Sequence, residues 1–126
     1  MYKTITTNIM VENVKETISF YEEKLGFKKI LSVPETGEKL NFAIIGKGTI
    51  SIMFQEQENL QEEYPTLTTD NIKPTFTLYI TVENVNELYI ELKDKVKIAK
   101  DIHKTFYGKD EFAIFDNNNN ILTISN

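Results

Sequence analysis

The sequence predicts an α+β fold: two βαβββ modules from an internal duplication, forming an eight-stranded sheet assembly around a cleft with the helices outside. Three observations predict it. The tetrapeptide Val11-Glu12-Asn13-Val14 returns as Val82-Glu83-Asn84-Val85, a constant 71 positions later. In both copies the asparagine stands just before an apolar run of helical period, with Glu16 or Glu87 three residues on. Such an asparagine can accept a bond from an orphan helix N–H while the glutamate bonds back. Each helix is also preceded by one strand-like stretch and followed by three, so both halves read strand, helix, strand, strand, strand.

In residues 4–11, Ile5, Ile9 and Val11 alternate with Thr6, Asn8 and Met10, the period of a half-buried strand. A helix over 14–24 puts Val14, Ile18, Tyr21 and Leu25 on one face, and Gly26 is placed to stop it. Residues 27–33, 40–45 and 49–55 read as strands, separated by Pro34-Glu35-Thr36-Gly37 and by Gly46-Lys47-Gly48, a tight hairpin turn. The stretch 56–69 is polar, acidic and broken by Pro65; it connects the halves, with room for a helical turn at 60–63, and its charge is expected to be solvated. The second half repeats the order: strand 75–82, helix 85–95, strands 96–103 and 111–115, and a last strand 121–125. The turn before that strand is Asp116-Asn117-Asn118-Asn119-Asn120, asparagine being the non-glycine residue most tolerant of positive φ.

A chain of 126 residues, 40% hydrophobic and 26% charged, fits one domain that buries a real core. We therefore expect a single domain over 1–126, with modules at about 4–55 and 74–126 and a linker at about 56–73. The formal charge of −5 argues against nucleic acid or an anionic membrane as partner, since both need clustered positive charge. All fourteen cationic residues are lysine, so no arginine fork is present to clamp a phosphate or carboxylate. The absence of cysteine excludes disulfides, thiolate metal sites and a thiol nucleophile. With no apolar run of signal or membrane-span length, the expected location is the cytoplasm.

Alternation assigns the faces. Ile5, Ile9 and Val11, with Phe76, Leu78, Ile80 and Val82, point toward the helices, as do Ile50, Ile52, Phe54, Leu122 and Ile124. Thr6, Asn8, Met10, Ser51, Met53, Gln55, Thr77, Tyr79, Thr81, Thr123 and Ser125 then face the cleft. Met10, Met53 and Tyr79 offer soft apolar walls, and Thr6, Asn8, Gln55, Thr77 and Thr123 sparse hydrogen-bonding groups, the usual make-up of a small-molecule pocket. The competing reading is a structural groove at a dimer interface. His103 is the only histidine and Glu111 is near it in sequence, but one imidazole and one carboxylate make a poor metal site. Glu56, Glu58, Glu62 and Glu63 read as a solvated run rather than a chelating one.

Three segments carry a resemblance to a known family. They are Asn8-Ile9-Met10-Val11-Glu12-Asn13-Val14, the helical run from Ile18 through Leu25-Gly26-Phe27, and Tyr107-Gly108-Lys109-Asp110-Glu111-Phe112-Ala113-Ile114-Phe115-Asp116 with the asparagine turn and Ile121-Leu122-Thr123-Ile124. The chain resembles the vicinal oxygen chelate superfamily, which includes glyoxalases, extradiol dioxygenases and bleomycin resistance proteins. The resemblance implies a divalent metal held, in metal-dependent members, by His or Glu on the first and fourth strands of each module. Those positions fall here on Thr6, Thr77 and Thr123, and on or beside Met53; none is a usual ligand for a first-row metal. The expectation is therefore no metal and no cofactor, in a bleomycin-resistance-like protein that sequesters a small neutral, amphipathic or cationic ligand. The resemblance further implies a homodimer. The alternative is a glyoxalase- or dioxygenase-type metalloenzyme with a displaced metal site, and a subunit or regulatory module without ligand is a third reading.

Overall fold

Asn13 starts the first helix by the chemistry its position predicts. In the computed structural model, which describes residues 1–126, its backbone is extended and its side-chain oxygen accepts the Glu16 N–H at 2.9 Å. Asn84 does the same for Glu87 at 3.3 Å. The two glutamate side chains make no bond back to the asparagines, so each cap is one-sided; the acid instead sits in the first turn, where the helix dipole favours it.

The chain divides into two compact units, Met1–Ile72 and Lys73–Asn126. In the first, β1 (Asn8–Val11), α1 (Val14–Leu25), β2 (Lys28–Val33), β3 (Phe42–Lys47) and β4 (Ile50–Glu56) follow one another. The strands form one sheet in the order β1-β4-β3-β2, with β1 parallel to β4 and the other neighbours antiparallel. Helix α1 therefore carries the chain from one edge strand to the other. It buries Val14, Thr17, Ile18 and Tyr21 with Ile9, Val11, Ala43, Ile45 and Phe54 of the strands. Tyr21 is fully buried, its ring centroid 5.1 Å from Phe54 and 5.5 Å from Phe27, and burial of a ring that size contributes about 2–3 kcal/mol. Gly26 ends the helix at φ 75°, a left-handed conformation that only glycine adopts without cost.

The second unit repeats the plan with β5 (Thr77–Thr81), α3 (Val85–Leu92), β6 (Ile98–Lys104), β7 (Asp110–Phe115) and β8 (Ile121–Ser125), in the sheet order β5-β8-β7-β6. Its core holds Leu92, Phe112, Ile114, Leu122 and Ile124, and the Tyr89 ring of α3 meets Phe112 edge-on at 5.2 Å. The asparagine turn is built around a buried acid: Asp116 accepts the Asn118 and Asn120 N–H groups and the Asn120 side-chain amide at 2.8–2.9 Å. Asn119 takes the positive φ of 63° that the turn needs. Both units are βαβββ, as the repeat predicts.

Several local expectations are corrected. The first strand begins at Asn8 rather than residue 4, because backbone pairing with β4 reaches no further than Thr7, whose carbonyl accepts the Met53 N–H at 2.9 Å. Ile5, expected in the core, is 98% exposed, and Thr6 lies before the strand. Phe76 likewise precedes its strand, and Ile50 at the start of β4 is exposed. The hairpin after β3 turns at Gly48-Thr49, since Lys47 still pairs with Ile50. The linker holds a helix, α2 (Gln57–Glu63), anchored by buried Leu60 and followed by the 3-10 turn Pro65–Leu67. Glu56 is not solvated: it is buried, and its carboxylate caps α2 by accepting the Glu58 and Asn59 N–H groups at 2.8 and 3.2 Å. Helix α3 stops at Leu92 because Lys93-Asp94-Lys95 offers nothing apolar to bury.

Candidate functional site

Each sheet has one face under its helix and one turned away from it. In the first unit, pairing of Asn8 with Met53 and of Met10 with Gln55 places these four on the same face, opposite the buried Ile9, Val11 and Phe54. Phe42 and Ile44 join them from β3, half-buried like Met10 and Met53. Gln55 is 6% exposed because α2 covers it: its amide nitrogen donates to Asn59 at 2.8 Å and to Glu63 at 3.0 Å, while its oxygen accepts from Asn8 at 2.8 Å. Its hydrogen-bonding capacity is thus committed within the fold, and Asn8 is the exposed end of that chain. Thr6 does not reach this set through any strand pairing.

In the second unit, Tyr79 pairs with Thr123 and Thr81 with Ser125. Ser125 is fully buried, so of the two only Thr123 remains available on this face. The Thr77 and Thr123 hydroxyls bond each other at 2.6 Å. Glu111 pairs with Ser125 on one side and His103 on the other, which brings it to the same face. There its Oε2 accepts the Tyr79 hydroxyl at 3.3 Å and the Tyr107 hydroxyl at 2.7 Å. The bond to the Glu111 carboxylate, with burial and the same negative charge adding to it, pushes the Tyr107 phenol up to about 12. His103 takes no part: its Nδ1 lies 2.7 Å from the Asp101 carbonyl oxygen.

Tyr107 is the residue that reading the sequence alone misses. It lies outside any strand, in the turn between β6 and β7, and only the closure of that turn brings it back to Glu111; the Thr105 N–H donates to the Lys109 carbonyl at 2.8 Å and Gly108 takes φ 83°. The signal was the spacing of Tyr107 and Glu111 across a short Gly-containing turn. A second feature is also new, a crevice of about 350 Å3 in the first unit between α1 and the loop after β2, lined by Lys15, Ser19, Glu22, Lys29 and Glu35 among others. Its two lysines are bonded to the loop itself, Lys15 to the Gly37 carbonyl at 3.4 Å and Lys29 to the Glu35 carbonyl at 3.2 Å.

A metal does not fit the positions where the resemblance would seat one. Thr6, Thr77, Thr123 and Met53 supply three neutral hydroxyls and a thioether, and two of those hydroxyls are bonded to each other. The pairings Asn8 with Met53 and Tyr79 with Thr123 also settle the correspondence, since Asn8 and Tyr79 stand 71 positions apart; Met53 is the counterpart of Thr123. Nowhere do three or more His, Asp or Glu side chains converge on a point.

The model of the Glyoxalase/Bleomycin resistance protein/Dioxygenase superfamily matches residues 4–124. The chain belongs to this superfamily. Solved structures repeat the fold of this superfamily member over nearly its whole length. A glyoxalase/bleomycin resistance protein/dioxygenase from Nocardioides is 13% identical, with a TM-score of 0.80 over 99% of this chain and 83% of that one. A protein of unknown function from Agrobacterium tumefaciens is 16% identical, with a TM-score of 0.79 and coverages of 99% and 94%. A glyoxalase/bleomycin resistance protein/dioxygenase family enzyme from Burkholderia phytofirmans is 19% identical, with a TM-score of 0.76 and 96% of both chains covered. No curated protein matches the sequence. At these identities the fold alone is shared, and the chemistry must be argued from this chain's own residues.

Proposed function

We propose that this superfamily member binds a small neutral, amphipathic or cationic molecule without a metal, as in the bleomycin-resistance-like branch, and does so as a cytoplasmic homodimer with residues 1–126 acting as one domain. The observation that carries the reading is the donor set at the metal positions, where Thr6, Thr77, Thr123 and Met53 replace imidazole and carboxylate. The half-buried Met10, Met53, Phe42 and Ile44, with Asn8 at their rim, supply the apolar surface and sparse polar groups that suit such a ligand. Exposed Ile30, Leu31 and Val33 on edge strand β2 favour self-association. No helix is long and apolar enough to cross a membrane.

Thermal-shift and calorimetric screening of the purified protein is expected to return at least one apolar or cationic ligand. Met53→Lys should weaken a ligand held on the first unit's face and Tyr79→Ala one held on the second's; ligand shifts unchanged in both variants would remove these faces as the site. Elemental analysis of protein prepared without chelator is the second arm. Near-stoichiometric nickel, zinc, manganese or iron overturns the metal-free reading.

A further inference from the structure

The side chain on the second unit's exposed face with the most unusual surroundings is Glu111. Its Oε2 holds two phenol hydrogens, from Tyr79 and Tyr107, while Oε1 is bonded by no donor of the chain. No lysine pairs with it. Lys109, two residues away in sequence, makes no ion pair with it, and Lys104, next to its strand partner His103, is committed to Asp110 at 2.9 Å; Asp110 also accepts from the Asn86 amide of α3, which puts that pair on the helix side of the sheet. His103, opposite Glu111 in the register, forms no ion pair with it and is bonded to a carbonyl of its own strand. The half-buried carboxylate thus carries a charge that two neutral hydroxyls orient and no cation balances.

Two aromatic rings flank that charge, and both are about half exposed, Tyr79 at 52% and Tyr107 at 50%. The carboxylate lies at the hydroxyl ends of both rings; it attracts an organic cation by direct Coulomb attraction, and a half-exposed ring beside it adds the attraction of its quadrupole for a cation over its face. A metal ion is the poorer match. The phenols present hydrogens to Oε2 rather than lone pairs to a metal, and a single carboxylate is too few ligands. The net charge of −5 adds a long-range bias toward cations.

We propose that Glu111, framed by Tyr79 and Tyr107, is the receptor for the cationic head of a small organic ligand, an alkylammonium or quaternary ammonium group. The proposal rests on the small-molecule reading above and narrows it to a ligand class and a counter-ion. Both phenols hold the carboxylate in one orientation, so the ligand meets a receptor that is already ordered. The paired Thr77 and Thr123 hydroxyls beside Tyr79 offer a polar neighbour for the rest of the molecule.

The test is calorimetric titration of the whole chain with benzyltrimethylammonium and, separately, with neutral benzyl alcohol. Wild-type protein should bind the cation saturably, and Glu111→Gln, which keeps the shape and an acceptor oxygen for the phenols, should weaken it by about tenfold or more. Tyr79→Phe, which keeps the ring, should stay within about twofold of wild type, whereas Tyr79→Ala should lose about fivefold. Circular dichroism confirms that each variant folds. No saturable binding of the cation, or a Glu111→Gln variant within twofold of wild type, overturns the proposal. Benzyl alcohol bound equally by wild type and Glu111→Gln but lost in Met53→Lys removes the cation receptor and leaves the small-molecule reading standing; neither probe bound, with no ligand from the screen above, removes both.

Discussion

Glu111 holds two phenols on one oxygen, and that arrangement decides how Tyr107 titrates. The folded-state value, pushed up to about 12, lies above the ordinary 10.0. A raised value means the bond's contribution to stability is fully present below about pH 10 and is lost as pH rises through about 12. Ultraviolet difference titration should find this late-ionising tyrosine in wild type and return it toward the ordinary value in Glu111→Gln. Tyr89 is also held up, by its hydrogen bond to Asp101, so it is the difference between the two proteins that identifies Tyr107. An unchanged titration in the variant would show that Glu111 is not the cause. Asp110 behaves in the opposite sense: the hydrogen bonds from Lys104 and then Asn86 hold its carboxyl low, so its contribution is present at neutral pH and is lost as the solution is acidified through the folded value.

At the scale of the element, the two sheets end differently. Edge strand β2 exposes Ile30, Leu31 and Val33 in sequence, whereas edge strand β6 carries Lys100, Asp101, His103 and Lys104. Charged edges resist pairing with other strands, and apolar ones invite it. Leu31→Lys, at an exposed position, should move the unfolding free energy by no more than about 0.5 kcal/mol while lowering self-association, read by sedimentation velocity. A variant that associates as strongly as wild type would clear β2 of that role. The elements themselves were legible where one local rule decided them, as at Asn13, Asn84 and Gly26. They were misjudged where a partner decided them: residues 4–7 alternate like a strand but have too little of β4 beside them, and Glu56 reads as surface until α2 folds back over Gln55 and takes its carboxylate as a cap.

Across the whole molecule, duplication has kept the plan and let the contents diverge. The 71-residue offset relates the two first strands, Asn8 to Tyr79, but the correspondence of Met53 with Thr123, 70 positions apart, needed the strand pairings themselves. The partnership of Glu111 with Tyr107 could not be read from sequence, because it depends on how one turn closes. The first unit fully buries two aromatic rings, Tyr21 and Phe54, and the second one, Phe112. Tyr21→Ala should cost about 3–5 kcal/mol, and hydrogen exchange should locate the lost protection first in Met1–Ile72. Protection lost evenly along the chain would mean that the units do not open separately. The chain has six tyrosines and no tryptophan, so phenols dominate its near-ultraviolet emission. A phenol bonded to a carboxylate emits weakly, since the excited ring readily gives up its proton to the acceptor. Tyr79 and Tyr107 therefore make their own optical gauge, dim while both lean on Glu111 and brighter once something else occupies that oxygen.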